Sequence, residues 1–377
     1  MFDYETLRLI AWLAVGFLII AFIIIDSHDM GVGILLPFLG KANDERHIII
    51  NYIASHWSGT QVLLVSSVAT IFVIWPTVYA IAFPELYWAA LILSVALLLR
   101  PIAFNYRTQI TTSKWRKCWD WGIFLGSATP SILIGIAFGN LLLGIPFRLD
   151  GTMKATYEGD FFKLLHPFAL YCGIISLGLV ILQGTSILAY KSLGQLQRYA
   201  IKAGRIIGIL MLVFLSIAGF WVCSLKGIVI DVMPGYNGIM TTLMKTAYSE
   251  QGAWLNNYRQ LPILWLIPAL TYVMIILTLY LQSIKNTAWA FVASSATIAT
   301  TILTAIIILF PFVLPSSIDP AMSITLWDGS TSYYILVLIL IIALIFIPTI
   351  FTYAARSYGI YSKLNGKYTH TNNKNLY

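Results

Sequence analysis

The chain has 377 residues, 59% of them hydrophobic and only 10% charged, with a formal net charge of +8. Soluble domains carry roughly a quarter charged residues, so a water-soluble fold is excluded. The basic residues are spread among short connections, which points to anionic lipid and topology and away from nucleic acid. Cys118, Cys172 and Cys223 stand alone, which excludes a disulfide framework, an iron–sulfur site and a haem-attachment motif.

The acidic start, Met1-Phe2-Asp3-Tyr4-Glu5, has no cleavage site after the apolar run that follows it, so that run is expected to stay as a span. Nine runs are long enough to cross a hydrocarbon core of about 30 Å: Leu7–Ile25, Gln61–Phe83, Leu86–Phe104, Trp121–Ile145, Leu165–Ala189, Ile206–Val229, Leu261–Leu281, Ala288–Leu314 and Tyr333–Ala355. The expected fold is all-α: one polytopic membrane domain over residues 1–377 with nine transmembrane helices. A polar stretch from Gly366 ends it as a flexible tail over 366–377. Apolar sequence continues through Ile34-Leu35-Leu36 and resumes at Ile48-Ile49-Ile50, so the first two helices are expected to overshoot the bilayer or tilt. Sixteen of the 23 lysines and arginines follow odd-numbered spans or, as Arg100 does, sit at the end of one, which puts the N-terminus outside and the C-terminus in the cytoplasm. The longest connections, Pro146–Lys163 and Ile230–Gln260, are external, and the second is polar enough for a surface cap or partner contact. Gly122-x-x-x-Gly126 and Gly135-x-x-x-Gly139 allow close helix approach.

Charge inside a span is a functional hypothesis by default. Asp26 and Asp29, three apart at the end of the first run, share one helical face ahead of Gly31-Val32-Gly33. They read either as a proton-handling or cation-binding pair, or as interface carboxylates paired with Arg100 for structure. Of the five histidines, His47 and His370 lie in a loop and the tail, only His28 and His56 of the rest sit beside other polar residues, and no spacing supports a metal site. His166 opens the fifth span at the interface. The polar stretch Asn51 to Gln61 reads as a hydrated route or a quinone contact through His56, Trp57 and Gln61, or as a helix entry anchored by Trp57.

Eleven motifs in order then carry a resemblance over most of the chain. They include Asp26-x-x-Asp29-Met30-Gly31-Val32-Gly33, His56-Trp57-x-Gly59-x-Gln61, Trp75-Pro76, Arg100-Pro101-x-x-Phe104, Trp119-Asp120-Trp121-Gly122, Ala137-Phe138-Gly139-Asn140, Phe310-Pro311-Phe312 and Ser323-x-Thr325-Leu326-Trp327-Asp328. In these the chain resembles subunit II of cytochrome bd-type ubiquinol oxidases. The resemblance implies a bacterial inner-membrane subunit, haem-free, that scaffolds a similarly built subunit I, with small single-helix accessory subunits and lipid as further partners. The partner would carry haems b and d and the quinol and oxygen chemistry of the respiratory chain, leaving no catalytic residue here. This chain would hold a ubiquinone at His56, Trp57 and Gln61, a proton route through Asp26, His28, Asp29, Ser58 and Asn105, and a structural ion pair at Arg100. It departs from the family pattern in carrying Ser58 and Asn105 where acids are common, Leu63 where a tryptophan is usual and His28 where an aromatic is usual. The competing expectation is a proton- or cation-coupled secondary transporter using Asp26, Asp29 and Arg100.

Overall fold

The computed structural model describes residues 3–41, 43–54, 57–150, 154–157, 159, 161–232 and 242–364. Twelve α-helices dominate the described chain: α1 Tyr4–Leu39, α2 Asn43–Ala54, α3 Trp57–Ile74, α4 Pro76–Glu85, α5 Tyr87–Gln109, α6 Ser113–Leu143, α7 Pro167–Lys191, α8 Gly194–Ser224, α9 Asn256–Gln260, α10 Leu266–Ser283, α11 Thr287–Leu309 and α12 Tyr333–Leu364. Seven segments are long and apolar enough to cross a membrane by themselves, and an eighth results if α3 and α4 count as one broken span. α12 adds a shorter apolar stretch, Tyr333–Thr349. The protein is therefore a multi-pass membrane protein.

Local chemistry sets the boundaries. The Gln61–Phe83 run, expected as one crossing, is broken where Pro76 cannot donate an amide to the helix, and its halves diverge by 119° around the buried Trp75. α1 is 36 residues long, so it does overshoot, whereas Ile48-Ile49-Ile50 belong to the separate helix α2. α7 opens on Pro167 at its first position, and its N-cap is His166, whose Nδ1 accepts the Phe168 amide at 3.2 Å.

α1 packs against α3, α6, α7, α11 and α12. Its closest approach is to α7 at Gly31 and Gly184: a Cβ on Gly31 would lie 2.7 Å from the Gly184 Cα, so the backbones meet with no room for a side chain.

Three small antiparallel hairpins were not expected from the apolar pattern. They pair β1 Phe147–Leu149 with β2 Ala155–Tyr157, β3 Lys226–Val232 with β4 Thr246–Gln251, and β5 Phe312–Leu314 with β6 Ile324–Thr325. All lie in connections at the end of the bundle that holds the start of α1, where Tyr4 donates its hydroxyl to the Thr331 carbonyl at 2.6 Å. As labels for the two ends of the bundle only, this hairpin layer is called the outer cap and the opposite, lysine- and arginine-rich end the inner end.

Candidate functional site

The sharpest polar feature lies in the inner half of α1. Arg100 of α5 reaches Asp26 with both terminal nitrogens, Nη1 to Oδ1 and Nη2 to Oδ2, each at 3.2 Å, and both side chains are fully buried. The planar guanidinium matches the carboxylate geometry, which makes this a strong form of ion pair. Gly126 of α6 clears the way for it, since a Cβ there would sit 2.9 Å from the Ala96 carbonyl oxygen and 3.0 Å from the Arg100 Cγ. The pairing considered from sequence is thus present for Asp26.

Asp29 is different. It is completely buried, neither carboxylate oxygen accepts a hydrogen bond, and its nearest cationic candidate is the neighbouring His28, whose Nε2 stands 3.4 Å from Oδ1. His28 is itself buried, edge-on to Phe291 of α11 with ring centroids 6.4 Å apart. One turn beyond, Gly33 makes room for Ser127 of α6, whose hydroxyl is also buried without a partner, and Ser131 donates to the Ser127 carbonyl at 2.8 Å. Asp26 and Asp29 therefore share a face as their spacing predicts, but one is saturated and the other is not.

Nearer the inner end, Asp120 of α6 accepts from Arg107 Nε of α5 at 2.6 Å and from Arg46 Nη1 of α2 at 2.7 Å. Arg46 also donates through Nε to the Gly40 carbonyl at 2.7 Å, tying the end of α1 to α2. This cluster was not anticipated; its signal was Asp120 between two tryptophans in the Trp119-Asp120-Trp121 motif. Two further buried polar groups were also missed. Gln183 of α7 donates to Ser295 Oγ of α11 at 2.7 Å and accepts from Ser294 Oγ at 2.5 Å, while Gln282 of α10 donates to Ser186 Oγ of α7 at 3.1 Å. Polar side chains standing alone in apolar runs were the available sign.

The remaining expected residues are not brought to Asp29. Asn105 is exposed on α5, facing away from Arg100, and Gln61 is half-buried on α3. His56 lies outside the described residues, as do the side chains of Trp57 and Ser58. Leu63 is buried on α3.

Two features complete the picture. A cavity of about 520 Å³ lies among α6, α7, α8, α10 and α11, lined by groups such as Phe138, Leu179, Leu215 and Ile302. Its polar edge includes Tyr272, whose hydroxyl is 3.1 Å from Ser216 Oγ, and Tyr258. Burial pushes the Tyr258 phenol up to about 12, opposed by its hydrogen bond to the Thr304 carbonyl at 3.3 Å. In the outer cap, Lys245 donates to Asp328, whose other oxygen accepts the Thr325 amide at 2.6 Å. Burial pulls the Lys245 ammonium below its ordinary range, and Asp328 and Asp319 pull it partly back.

Comparison with known proteins fits this arrangement. The family model for cytochrome bd terminal oxidase subunit II matches residues 7–361. The chain is 43% identical over 359 residues to the cytochrome bd-I ubiquinol oxidase subunit 2 of Escherichia coli strain K12, covering 95% of each. It is 40% identical to a probable cytochrome oxidase subunit 2 of Haemophilus influenzae over the full length of both. Its fold matches a chain of the bd oxidase from Geobacillus thermodenitrificans with a TM-score of 0.71 at 17% identity, covering 95% of this chain and 98% of that one. A broken, multi-pass helical bundle with a buried arginine–carboxylate pair and this sequence match together place the chain in the cytochrome bd terminal oxidase subunit II family.

Proposed function

We propose that this chain is the haem-free subunit II of a quinol:oxygen oxidoreductase in a bacterial inner membrane, where it scaffolds subunit I and supplies protons through Asp29. The observation that carries the proton role is Asp29 itself: a carboxyl at membrane depth, wholly buried, with both oxygens free of hydrogen bonds and a histidine nitrogen 3.4 Å away. A purely structural carboxylate is expected to be saturated, as Asp26 is by Arg100. Family membership removes the ground for the transporter reading.

Haem does not fit the described histidines. His28 faces Asp29 and Phe291, His47 lies on α2 at the inner end, and His166 caps α7, so no two imidazoles face each other across a buried space. We therefore place haems b and d in subunit I. A quinone does fit: the 520 Å³ cavity is apolar along its length and carries the Tyr272–Ser216 hydroxyl pair. These residues would seat the isoprenoid tail and ring of a ubiquinone, which when bound supplies two-electron, two-proton redox chemistry; Gln61 is the described member of the alternative seat. The topology follows the charge distribution, with the outer cap outside and the inner end in the cytoplasm.

Purification of the chain from its native membrane tests the reading, with an absorption spectrum and identification of co-purifying subunits. Haem bands that accompany a second large membrane subunit, and vanish when this chain is made alone, are the expected result. A haem-free chain without such a partner overturns it. Asp29→Asn is expected to assemble with full haem content and to turn over about tenfold more slowly; full turnover would remove the proton role.

A further inference from the structure

Asp26 and Gly33 look from α1 toward α5 and α6, whereas His28, beside Asp29, packs on Phe291 of α11. On that side lies a second run of polar side chains. Its first node is Gln282, the penultimate residue of α10 at the inner end, which donates to Ser186 while its own Oε1 is buried without a partner. Thr185 joins this node: a Cβ on Gly204 of α8 would sit 2.6 Å from Gln282 Oε1 and 2.9 Å from Thr185 Oγ1. One turn of α7 deeper, about 5.4 Å, Gln183 bonds both Ser294 and Ser295. Both of those hydroxyls also share the carbonyl of Phe291, the residue whose ring packs on His28.

Hydrogen bonds of this kind hold membrane helices together at about 1–2 kcal/mol each. Helix adhesion does not call for an imidazole beside an unsatisfied carboxyl, nor for an unpaired amide oxygen at the mouth of the series. We propose that His28 is a proton donor to Asp29, fed from the inner end by the tract Gln282–Ser186–Gln183–Ser294–Ser295, on the opposite face of α1 from Arg100. In the transfer, the His28 Nε2–H bond breaks as a proton passes to Asp29 Oδ1; Nδ1 regains a proton from the tract, and nothing is oxidised or reduced. Along this tract the serine hydroxyls and the water between them carry the proton, while the Gln183 and Gln282 amides hold those hydroxyls in place. Asp29, and beyond it Asp26 and Arg100, are the charged groups near the ring; α7 and α11 bring amide and hydroxyl groups among the described residues. This proposal rests on the reading of Asp29 as a proton carrier.

The test uses the assembled oxidase in its native membrane, reading quinol oxidase kcat per haem, KM for quinol, and the ratio of rates in H2O and D2O. His28→Phe and Gln183→Leu are expected to lower kcat about threefold or more at unchanged KM and to raise the isotope ratio. His28→Gln retains a polar group but no titratable nitrogen and is expected to behave as His28→Phe does. Lower haem yield with unchanged kcat per haem and isotope ratio would mean adhesion alone and overturns the proposal. If Gln183→Leu does not assemble, the Ser294→Ala/Ser295→Ala double variant, which removes only two hydroxyls, decides by the same readouts. A slow Asp29→Asn alongside normal His28 and Gln183 variants defeats this tract only, whereas a fully active Asp29→Asn defeats the reading beneath it.

Discussion

Two buried carboxylates at opposite ends of the molecule are built to opposite specifications. In the outer cap, Asp328 has one oxygen on the Lys245 ammonium and the other on the Thr325 amide, and Lys245 ties the β4 approach to the loop after β6. In the inner half of α1, Asp29 has neither oxygen engaged. A saturated carboxylate holds elements together and gains nothing from changing its charge. An unsatisfied one in a low-dielectric interior is a standing cost that a merely structural residue would not impose. The contrast teaches which acid to assign to architecture and which to chemistry, and Asp26, clasped by Arg100, falls with Asp328.

The largest expected effect is at Arg100. Arg100→Met leaves Asp26 buried and alone, which should cost about 3–5 kcal/mol of stability, read as a lower Tm and haem yield of the complex; a stable variant would break the assignment of this pair to architecture. Lys245→Met should cost about 3 kcal/mol, at the low end of the same range because Asp328 keeps the Thr325 amide. Its turnover per haem should be unchanged, and a turnover defect would erase the division between the two ends. Asp29→Asn should raise the activation barrier by about 1.4 kcal/mol, the tenfold slowing given above, while leaving Tm unchanged. Tyr258→Phe removes one hydrogen bond, to the Thr304 carbonyl, and should cost about 1 kcal/mol of stability.

The smallest effect is in pH. The folded Lys245 releases its proton below the ordinary value of 10.5, so between the two values the unfolded chain binds more protons and the contribution to stability rises with pH. Thermal denaturation from neutral to alkaline pH should therefore show wild type gaining on Lys245→Met; a declining difference would mean that the ion pair outweighs burial.

Sequence made seven of the nine expected spans legible as single apolar helices, because membrane thickness and helical rise leave little choice of length. It also paired Asp26 with Asp29, since positions three apart share a helical face. Their separate fates were not legible: they depend on Arg100 arriving 74 residues later in the chain and reaching one acid only. The break at Pro76 was written in the sequence as Trp75-Pro76 yet hidden inside an apolar run, because hydropathy does not register a missing amide proton. The three hairpins escaped notice for a related reason, as strands of two to seven residues leave too short a pattern to read. Asn105 entered the route through the family pattern, in which an acid often follows the Phe104 position, and no helical periodicity in this chain alone says that its side chain is exposed on α5.

The 36-residue α1 carries Asp26, His28 and Asp29 toward the inner end, and everything that accommodates them comes from helices made afterwards. During synthesis this helix must enter the bilayer before α5 brings Arg100 or α7 brings Gly184. An aspartate at the centre of a lone helix disfavours insertion by about 2.5–3.5 kcal/mol; Asp26 and Asp29, beyond the apolar run from Leu7 to Ile25, each cost less than that. The newborn helix therefore meets the partners of its polar end only once α5 and α7 have been made, and the order of translation becomes part of how this protein acquires its buried acid.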